Sequence, residues 1–244
     1  PYAGFESDYA QAIARRARRE PLQHITGTAA FGPLELEVGE GVFIPRPETE
    51  LLAQWARQFL ARVAAPATVV DLGTGSGALA IYIATQVPDA HVIAVERSTT
   101  AIEYARRNAA ANGASIRIVH GDMTDPQLLR ECDGCVDLIV SNPPYVPETS
   151  DVEREVHRDP YEAVFSGVDG MEAIRGLVPV VARLLRSGGA VGIEHDEANA
   201  ALVADTLQKN GNFSDTRVMK DLAGTERFVT ASKLPLCPQP PTTA

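Results

Sequence analysis

Residues 68–77, with the sequence TVVDLGTGSG, join a short apolar run to three closely spaced glycines. An apolar run that ends in glycine is typical of a buried strand that stops at a tight turn, and the apolar segment after it reads as a helix. Glycines at such a turn let the backbone approach a ligand and leave N–H groups exposed at a helix N-terminus. The stretch therefore predicts a strand–turn–helix unit with a ligand placed against it.

Strands and helices alternate from this unit to the end of the sequence. Continuous apolar strands separated by helices favour an α/β fold with a doubly wound, mostly parallel sheet covered on both faces. The predicted strands are 68–72, 91–96, 115–120, 136–140, 190–194, 212–219 and 227–231. The predicted helices are 78–86, 100–112, 126–130, 170–186 and 197–210, with a turn at 187–189. A short loop joins the last two strands, which predicts one C-terminal antiparallel strand at the end of a seven-stranded sheet.

A smaller pattern precedes the sheet. Residues 7–20 have helical spacing and a cluster of arginines, which we interpret as a solvated helix face rather than a docking patch for an acidic partner such as RNA. The turn chemistry of residues 31–34 predicts a β-hairpin between 26–30 and 35–38. Pro47 is expected to open a helix with one apolar face.

Composition excludes several classes of function. The 244 residues are 45% hydrophobic, which is enough for one sizeable core. A net charge of -10 argues against sequence-independent binding to nucleic acid. No run is apolar enough to cross a membrane and no signal-peptide pattern opens the sequence, so we expect a soluble, cytoplasmic protein. The cysteines (Cys132, Cys135 and Cys237) predict neither a disulfide framework nor a metal site, with a redox or metal role as the alternative.

The acid ahead of the glycine turn indicates which ligand the turn binds. The glycines follow the pattern G-x-G-x-G rather than the G-x-G-x-x-G of dinucleotide folds, and no P-loop lysine follows them. A carboxylate there would repel a pyrophosphate but suits a ligand with an amine and a sulfonium, which is S-adenosylmethionine. A general nucleotide-binding fold with structural glycines is the alternative. The loop residues expected to contact the methyl donor are Asp71, Gly73, Thr74, Gly75, Ser76 and Gly77.

Two further acids follow the next two strands. Glu96 ends the second strand, where its carboxylate can accept hydrogen bonds from both ribose hydroxyls. Asp122 follows the third strand and can accept a hydrogen bond from the adenine amino group, while Met123 can pack on the ring. Because an open parallel sheet binds its ligand at the carboxyl ends of the strands, we expect these residues to share one edge with the glycine turn.

The fourth strand of this sheet runs directly into Asn142, Pro143, Pro144 and Tyr145. We expect it beside the first strand, so that Asn142 faces the same crevice as the methyl donor. The Asn142 side-chain oxygen and the Pro143 backbone carbonyl are two neighbouring acceptors, and the prolines have no competing N–H. Such a pair can orient an –NH2 group and stabilise the charge that develops on its nitrogen, with Tyr145 as an aromatic wall. A turn that only ends the strand is the alternative.

These motifs resemble those of a known family. The pair 71–77 and 141–145 is similar to class I methyltransferases that act on a planar amino nitrogen. The segments that narrow the resemblance to the bacterial peptide chain release factor glutamine methyltransferases are 22–27 (LQHITG), 43–50 (FIPRPETE), 165–171 (FSGVDGM) and 220–228 (KDLAGTERF). The resemblance extends over residues 21–231.

The resemblance implies an activity and a set of site residues. It implies methyl transfer from S-adenosylmethionine to the side-chain amide nitrogen of glutamine in the Gly-Gly-Gln motif of class I release factors, with S-adenosylhomocysteine as the product. It also implies that residues 73–77, Glu96, Met123 and Asn142 contact the donor. Residues 142–145 would hold the glutamine, and Phe43 would form one wall of the site. The resemblance assigns no role to Glu194.

Two rival functions remain at this point. A DNA adenine methyltransferase would share the chemistry of residues 142–145, but the acidic charge and the lack of a target-recognition segment count against it. A non-catalytic module that binds S-adenosylmethionine is the second rival. The resemblance also implies a helical remnant of an N-terminal substrate-docking domain (1–22) and a methyltransferase domain (46–232). The turn chemistry predicts a β-hairpin linker (23–45) between them, and the Pro- and Thr-rich composition of the C-terminus predicts a disordered tail (233–244).

Overall fold

The computed structural model describes residues 4–149 and 151–235. Within these residues, nine strands form two sheets. The strands are β1 (Thr28–Phe31), β2 (Leu34–Glu37), β3 (Thr68–Leu72), β4 (His91–Glu96), β5 (Ile116–His120), β6 (Val136–Ser141), β7 (Leu185–Glu194), β8 (Phe213–Lys220) and β9 (Glu226–Lys233). The α-helices are α1 (Phe5–Ala17), α2 (Leu22–Thr26), α3 (Thr49–Leu60), α4 (Ala78–Gln86), α5 (Thr99–Ala111), α6 (Tyr161–Val164), α7 (Glu172–Leu184) and α8 (Ala200–Asn210).

The larger sheet has the strand order β5-β4-β3-β6-β7-β9-β8. Its first five strands are parallel, and β9 runs antiparallel to both of its neighbours. The prediction of a seven-stranded, mostly parallel sheet with one C-terminal antiparallel strand is therefore confirmed. That strand lies between β7 and β8 rather than at the sheet edge. The predicted pairing of the first and fourth strands is also confirmed, since β3 pairs with β6 and the chain reverses its direction of winding there.

Apolar side chains cover both faces of this sheet. Successive residues of a strand point to opposite faces, so Val70 and Ile139 join the core under α7 and α8, while Val69 and Leu138 join the core under α3 and α4. All four side chains are fully buried. A strand buried on both sides has no polar face, which explains the continuous apolar runs in the sequence.

Helix α3 packs directly on β7 at a position where the strand has a glycine. A Cβ atom added at Gly192 would lie 2.6 Å from the Leu52 Cδ1 atom and 2.7 Å from the Trp55 Cζ3 atom. Glu194 lies two residues further along the strand and therefore on the same face. The close contact brings Thr49, the first residue of α3, to Glu194 at the carboxyl end of β7.

The hairpin predicted before the sheet is confirmed as β1 and β2, which pair from Thr28 with Glu37 to Phe31 with Leu34. It packs on α5, where the Asn108 side chain accepts a hydrogen bond from the Glu37 N–H and donates one to the Glu37 carbonyl oxygen. This contact fixes the chain that leads from the hairpin toward the sheet edge.

The arginine-rich segment forms α1, a surface helix without a buried residue. Arg15 pairs with Glu20, and both Arg16 and Arg19 pair with Glu155. The solvated-face interpretation fits these exposed ion pairs.

Three details of the sequence prediction were wrong. Residues 126–130 are turns that lead into a 3-10 helix at Arg130–Cys132, not a helix, because Leu129 has a φ of 50° and interrupts helical geometry. The predicted turn at 187–189 lies inside β7, since α7 ends at Leu184. The short helices α2 and α6 were not predicted; each follows a proline and has at most five residues, too few for a periodic pattern.

The predicted tail lies outside the described residues from 236 onward, as does Cys237. The division of the chain into docking remnant, linker and methyltransferase domain stays a prediction. Among the residues that the structure describes, no helix is both long and apolar enough to span a bilayer.

Candidate functional site

The glycine turn after β3 has a backbone that only glycine adopts readily. Gly73, Gly75 and Gly77 have φ values of 77°, 57° and 91°. The Gly73 and Thr74 N–H groups both donate to the Val95 carbonyl oxygen at 2.9 Å, which fixes the turn against the end of β4. The turn is thus a rigid backbone wall from which α4 begins.

Asp71 is buried beneath this turn, with 1% of its surface exposed. Its Oδ2 atom accepts hydrogen bonds from the Thr74 hydroxyl at 2.6 Å and from the Ala80 N–H at 3.1 Å. Its Oδ1 atom is buried without a hydrogen-bond partner among the described residues. Burial raises the pKa of Asp71 to about 7, because desolvation penalises the charged form more than these two hydrogen bonds stabilise it. A cationic ligand group would complete this site.

Glu96 reaches the turn from the end of β4. Its Oε2 atom accepts a hydrogen bond from the Gly75 N–H at 2.9 Å. Its Oε1 atom accepts from the Arg97 and Ser98 N–H groups at 2.8 and 2.9 Å. These bonds hold the carboxylate at the cleft wall, and the Oε2 atom, which accepts only one of them, retains capacity to accept from a hydroxyl.

Asp122 and Met123, which follow β5, face different surroundings. The Asp122 Oδ1 atom accepts hydrogen bonds from the Thr124 N–H at 2.8 Å and the Thr124 hydroxyl at 2.7 Å. Burial alone would raise the pKa of Asp122, but these bonds outweigh it and hold the pKa below its ordinary value. The Met123 Cε atom lies 3.5 Å from the position of a Cβ added at Gly73. Met123 therefore packs over the glycine turn, whereas Asp122 is engaged in a local turn.

Asn142 lies at the carboxyl end of β6, across from the glycine turn. Its Nδ2 atom donates to the Thr49 hydroxyl oxygen at 3.1 Å. Tyr145 donates from its hydroxyl to the Glu194 Oε1 atom at 3.3 Å. Burial raises the pKa of the Tyr145 hydroxyl well above its usual value, so it remains a proton donor.

Phe43 reaches the cleft from the loop before α3 and is supported by a cation. The Arg46 guanidinium carbon lies 4.8 Å from the centre of the Phe43 ring. Arg46 also pairs with Asp159, whose Oδ1 atom accepts from the Ile44 N–H at 3.2 Å. Burial raises the pKa of Asp159 above its ordinary value even though Arg46 opposes the shift. The sequence did not reveal this support, because Asp159 is distant in the chain.

One cleft brings most of these residues together. It encloses about 900 Å³ when the open space at its mouth is included. The residues of the sequence prediction that line it are Phe43, Asp71, Gly73, Thr74, Gly75, Ser76, Glu96, Met123, Asn142 and Pro144. Gly77, Asp122, Pro143 and Tyr145 lie outside the cleft wall. The wall also includes Thr49 and the segment around Pro160 and Ala163, neither of which was singled out from the sequence.

Known proteins share both the sequence and the fold. Residues 49–159 match the family described as Methyltransferase small domain. The release factor glutamine methyltransferase of Corynebacterium glutamicum is 53% identical over 226 residues, which are 93% of this chain and 81% of that protein. The chain belongs to the release factor glutamine methyltransferases. The Mycolicibacterium smegmatis member of the family is also 53% identical, over 91% of this chain and 78% of that protein. The family resemblance found in the motifs is therefore confirmed.

A solved structure supports the class I methyltransferase fold of this family. The T. thermophilus 16S rRNA N2 G1207 methyltransferase, solved in complex with AdoMet and guanosine, has a TM-score of 0.59 and 22% identity. The similarity covers 84% of this chain and 49% of that chain.

Proposed function

We propose that this chain transfers a methyl group from S-adenosylmethionine to the side-chain amide nitrogen of glutamine in the Gly-Gly-Gln motif of class I release factors. S-adenosylhomocysteine is the second product. One observation carries the proposal: in a chain of this family, the glycine turn with its buried acid and the Asn142 side chain face one cleft. The donor and the amide nitrogen can therefore meet there.

The chemistry of the cleft fits the methyl donor. The unpartnered Asp71 Oδ1 atom suits the ammonium of the methionine moiety, since a buried carboxylate oxygen gains most from a cationic partner. Glu96 suits the ribose hydroxyls, and Met123 suits one face of the adenine. Asp122 is the weaker candidate for the adenine amino group, because Thr124 already occupies its Oδ1 atom. The donor supplies a methyl carbon made electrophilic by the adjoining sulfonium.

The side of the cleft around Asn142, here called the acceptor half, must overcome the poor nucleophilicity of the glutamine amide nitrogen. The Asn142 side-chain oxygen accepts a hydrogen bond from one amide hydrogen. The carbonyl oxygen of Pro143, which lies outside the cleft wall but between the lining residues Asn142 and Pro144, accepts from the other when the glutamine binds, and the two bonds fix the nitrogen toward the methyl carbon. A nitrogen–carbon bond forms as the sulfur–carbon bond breaks, and the acceptors stabilise the positive charge that develops on nitrogen. One amide proton then leaves to water. Pro144 and Phe43 shape the wall around the glutamine side chain.

The two rival functions differ in what the protein would methylate. A net charge of -10 disfavours the broad phosphate contacts that a DNA adenine methyltransferase needs. A non-catalytic module would have no use for acceptors aligned beside the donor pocket. Protein substrate and absence of direct nucleic-acid binding are therefore parts of the proposal.

Transfer of labelled methyl groups tests the proposal directly. The protein is incubated with labelled S-adenosylmethionine and, separately, with a release factor, the same factor with the motif glutamine replaced by alanine, and duplex DNA. We expect label only in the unaltered release factor, and mass spectrometry should locate one added methyl on the motif glutamine. Label in DNA alone would establish the first rival, and donor binding without any transfer would establish the second.

A further inference from the structure

Glu194 is a buried carboxylate beside the acceptor half of the cleft. It ends β7 with 3% of its surface exposed. Two hydroxyls act on it: Tyr145 donates to Oε1 at 3.3 Å, and Thr49 is near enough that a hydrogen bond from its hydroxyl lowers the pKa of Glu194. An ionised carboxylate can only accept hydrogen bonds, so each hydroxyl must direct its single proton toward Glu194.

Thr49 connects this carboxylate to Asn142. Its side chain is buried with 3% exposure, and its oxygen lies 3.1 Å from the Asn142 Nδ2 atom. Because the Thr49 proton is directed to Glu194, only its lone pairs face Asn142. Asn142 must therefore turn its NH2 group toward Thr49, which leaves its side-chain oxygen for the cleft.

The direction of this chain of hydrogen bonds matters for methyl transfer. An asparagine amide can rotate by half a turn with little change in shape, since its oxygen and nitrogen are nearly equal in size. In the reversed orientation it would present an NH2 group to the NH2 group of the substrate, and two donors would face each other. The amide nitrogen would then lose one of the acceptors that hold it.

We propose that Glu194 is a positioning residue which, through the Thr49 hydroxyl, sets the orientation of the Asn142 amide so that its oxygen faces the substrate nitrogen. This inference rests on the proposed function of Asn142. It gives a role to an acid that neither the motifs nor the resemblance assigned, and it makes Thr49 part of the same chain of hydrogen bonds.

Protonation of Glu194 would disturb the arrangement, because a protonated carboxyl can donate to Thr49. Burial raises the pKa of Glu194 to about 7, although the hydrogen bonds from Thr49 and Tyr145 oppose the shift. The other charged groups around it are Glu48 at the start of α3, which raises the pKa, and Arg227 on β9, which lowers it. Turnover should therefore increase with pH as Glu194 ionises.

Three variants test the inference against a merely structural role. In Glu194→Gln the side-chain amide can donate to Thr49, which frees the Thr49 proton to turn Asn142 around. Thr49→Val keeps the shape but removes the hydroxyl, and Thr49→Ser restores it. We expect kcat for release factor methylation to decrease by about 10-fold to 100-fold in the first two variants, with Kd for the donor changed less than about threefold. Thr49→Ser should recover most of this loss, and Glu194→Gln should lose the increase of kcat near neutral pH.

The side-chain amide signal of Asn142 provides a second measurement that needs no substrate. After assignment by comparison with Asn142→Asp, its NH2 protons should show slowed exchange in the wild type and Thr49→Ser, and fast exchange in Thr49→Val and Glu194→Gln. Wild-type kcat in Glu194→Gln, an unchanged pH profile, or equal losses in Thr49→Val and Thr49→Ser would overturn the inference. If the wild type methylates no release factor, the proposed function fails, and the exchange measurement alone decides whether Glu194 orients Asn142.

Discussion

Asp71 and Glu194 are two buried carboxylates, one in the cleft wall and the other behind the lining residue Thr49, and both are shielded from solvent. Each ends or nearly ends a parallel strand, and burial raises the pKa of each to about 7. They differ in what their oxygens contact. Asp71 keeps one oxygen without a protein partner, whereas Glu194 is engaged by the Tyr145 and Thr49 hydroxyls.

This difference in hydrogen-bond partners indicates that the two buried carboxylates have different roles. An unpartnered oxygen is costly to bury, so Asp71 gains stability when a cationic ligand arrives. A carboxylate already satisfied by hydroxyls gains nothing from a ligand, but it fixes the direction in which those hydroxyls donate. Under the proposed function, the side of the cleft that binds the donor is completed by its ligand, and the side that binds the acceptor is ordered in advance.

Removing the oriented group itself should give the largest effect. Asn142→Ala deletes an acceptor that acts on the reacting nitrogen, and we expect kcat for release factor methylation to decrease by about 10²-fold to 10³-fold. Donor affinity should decrease by less than about fivefold, since the side of the cleft that binds the donor is untouched. Initial rates with saturating donor, together with calorimetric donor titration, measure the two effects. Unchanged turnover would refute the role assigned to Asn142.

Asp71→Asn should reverse the pattern, with the larger effect on donor binding. Loss of the charge facing the donor ammonium should raise Kd for S-adenosylmethionine by about 10-fold or more.

Without donor, the Asp71→Asn variant should be more stable than the wild type at pH 8. The pKa of Asp71 is about 7 in the folded protein and about 4 when unfolded, so wild-type stability decreases as pH rises between these values.

The stabilisation by Asp71→Asn should be on the order of 4 kcal/mol at pH 8, since one pKa unit corresponds to about 1.4 kcal/mol, and should become small near pH 4. Thermal unfolding at both pH values measures it. Equal donor affinity in the variant and the wild type would show that Asp71 acts only on the glycine turn.

Gly192→Ala tests whether the packing of α3 on β7 sets the distance between Thr49 and Glu194. The new Cβ would lie under 3 Å from Leu52 and Trp55, so α3 must move outward. We expect a loss of about 1–3 kcal/mol in the free energy of unfolding and a decrease in kcat of about threefold to tenfold. Gly192→Ala combined with Leu52→Ala removes one of the clashes and should recover part of the turnover. A variant that is destabilised but fully active would separate this packing from the chemistry.

The fold was largely predictable because its determinants are local. The apolar run and glycines of residues 68–77 define strand, turn and helix within a few residues, and the following alternation defines a parallel sheet. The errors fell where local pattern is weak. Leu129 has a left-handed φ that the pattern of side chains does not predict. Strand β7 begins as early as Leu185 because that residue pairs with Val136 of β6.

The position of a residue in the cleft was predictable only where that residue lies next to a motif. Asp71, Glu96 and Asn142 follow from strand ends and glycine spacing, and the structure brings them to one cleft. Thr49 and Asp159 act through partners far away in the sequence, so their roles required the packing of α3 and the loop before α6. Glu194 was visible as an acid at a strand end, but its hydroxyl partners were not.

Tyr145→Phe should give the smallest change and the finest distinction between the two carboxylates. The phenyl ring keeps the aromatic surface but removes the hydroxyl that donates to the Glu194 Oε1 atom. Because that hydrogen bond lowers the pKa of Glu194, its loss should raise the pKa, and the pH at which kcat is half-maximal should move upward by a few tenths of a unit. Donor binding, which depends on Asp71, should keep its wild-type pH dependence. A profile of kcat and donor Kd from pH 6 to 9 in both proteins measures the shift, and an equal displacement of both curves would mean that the two carboxylates titrate as one system rather than independently.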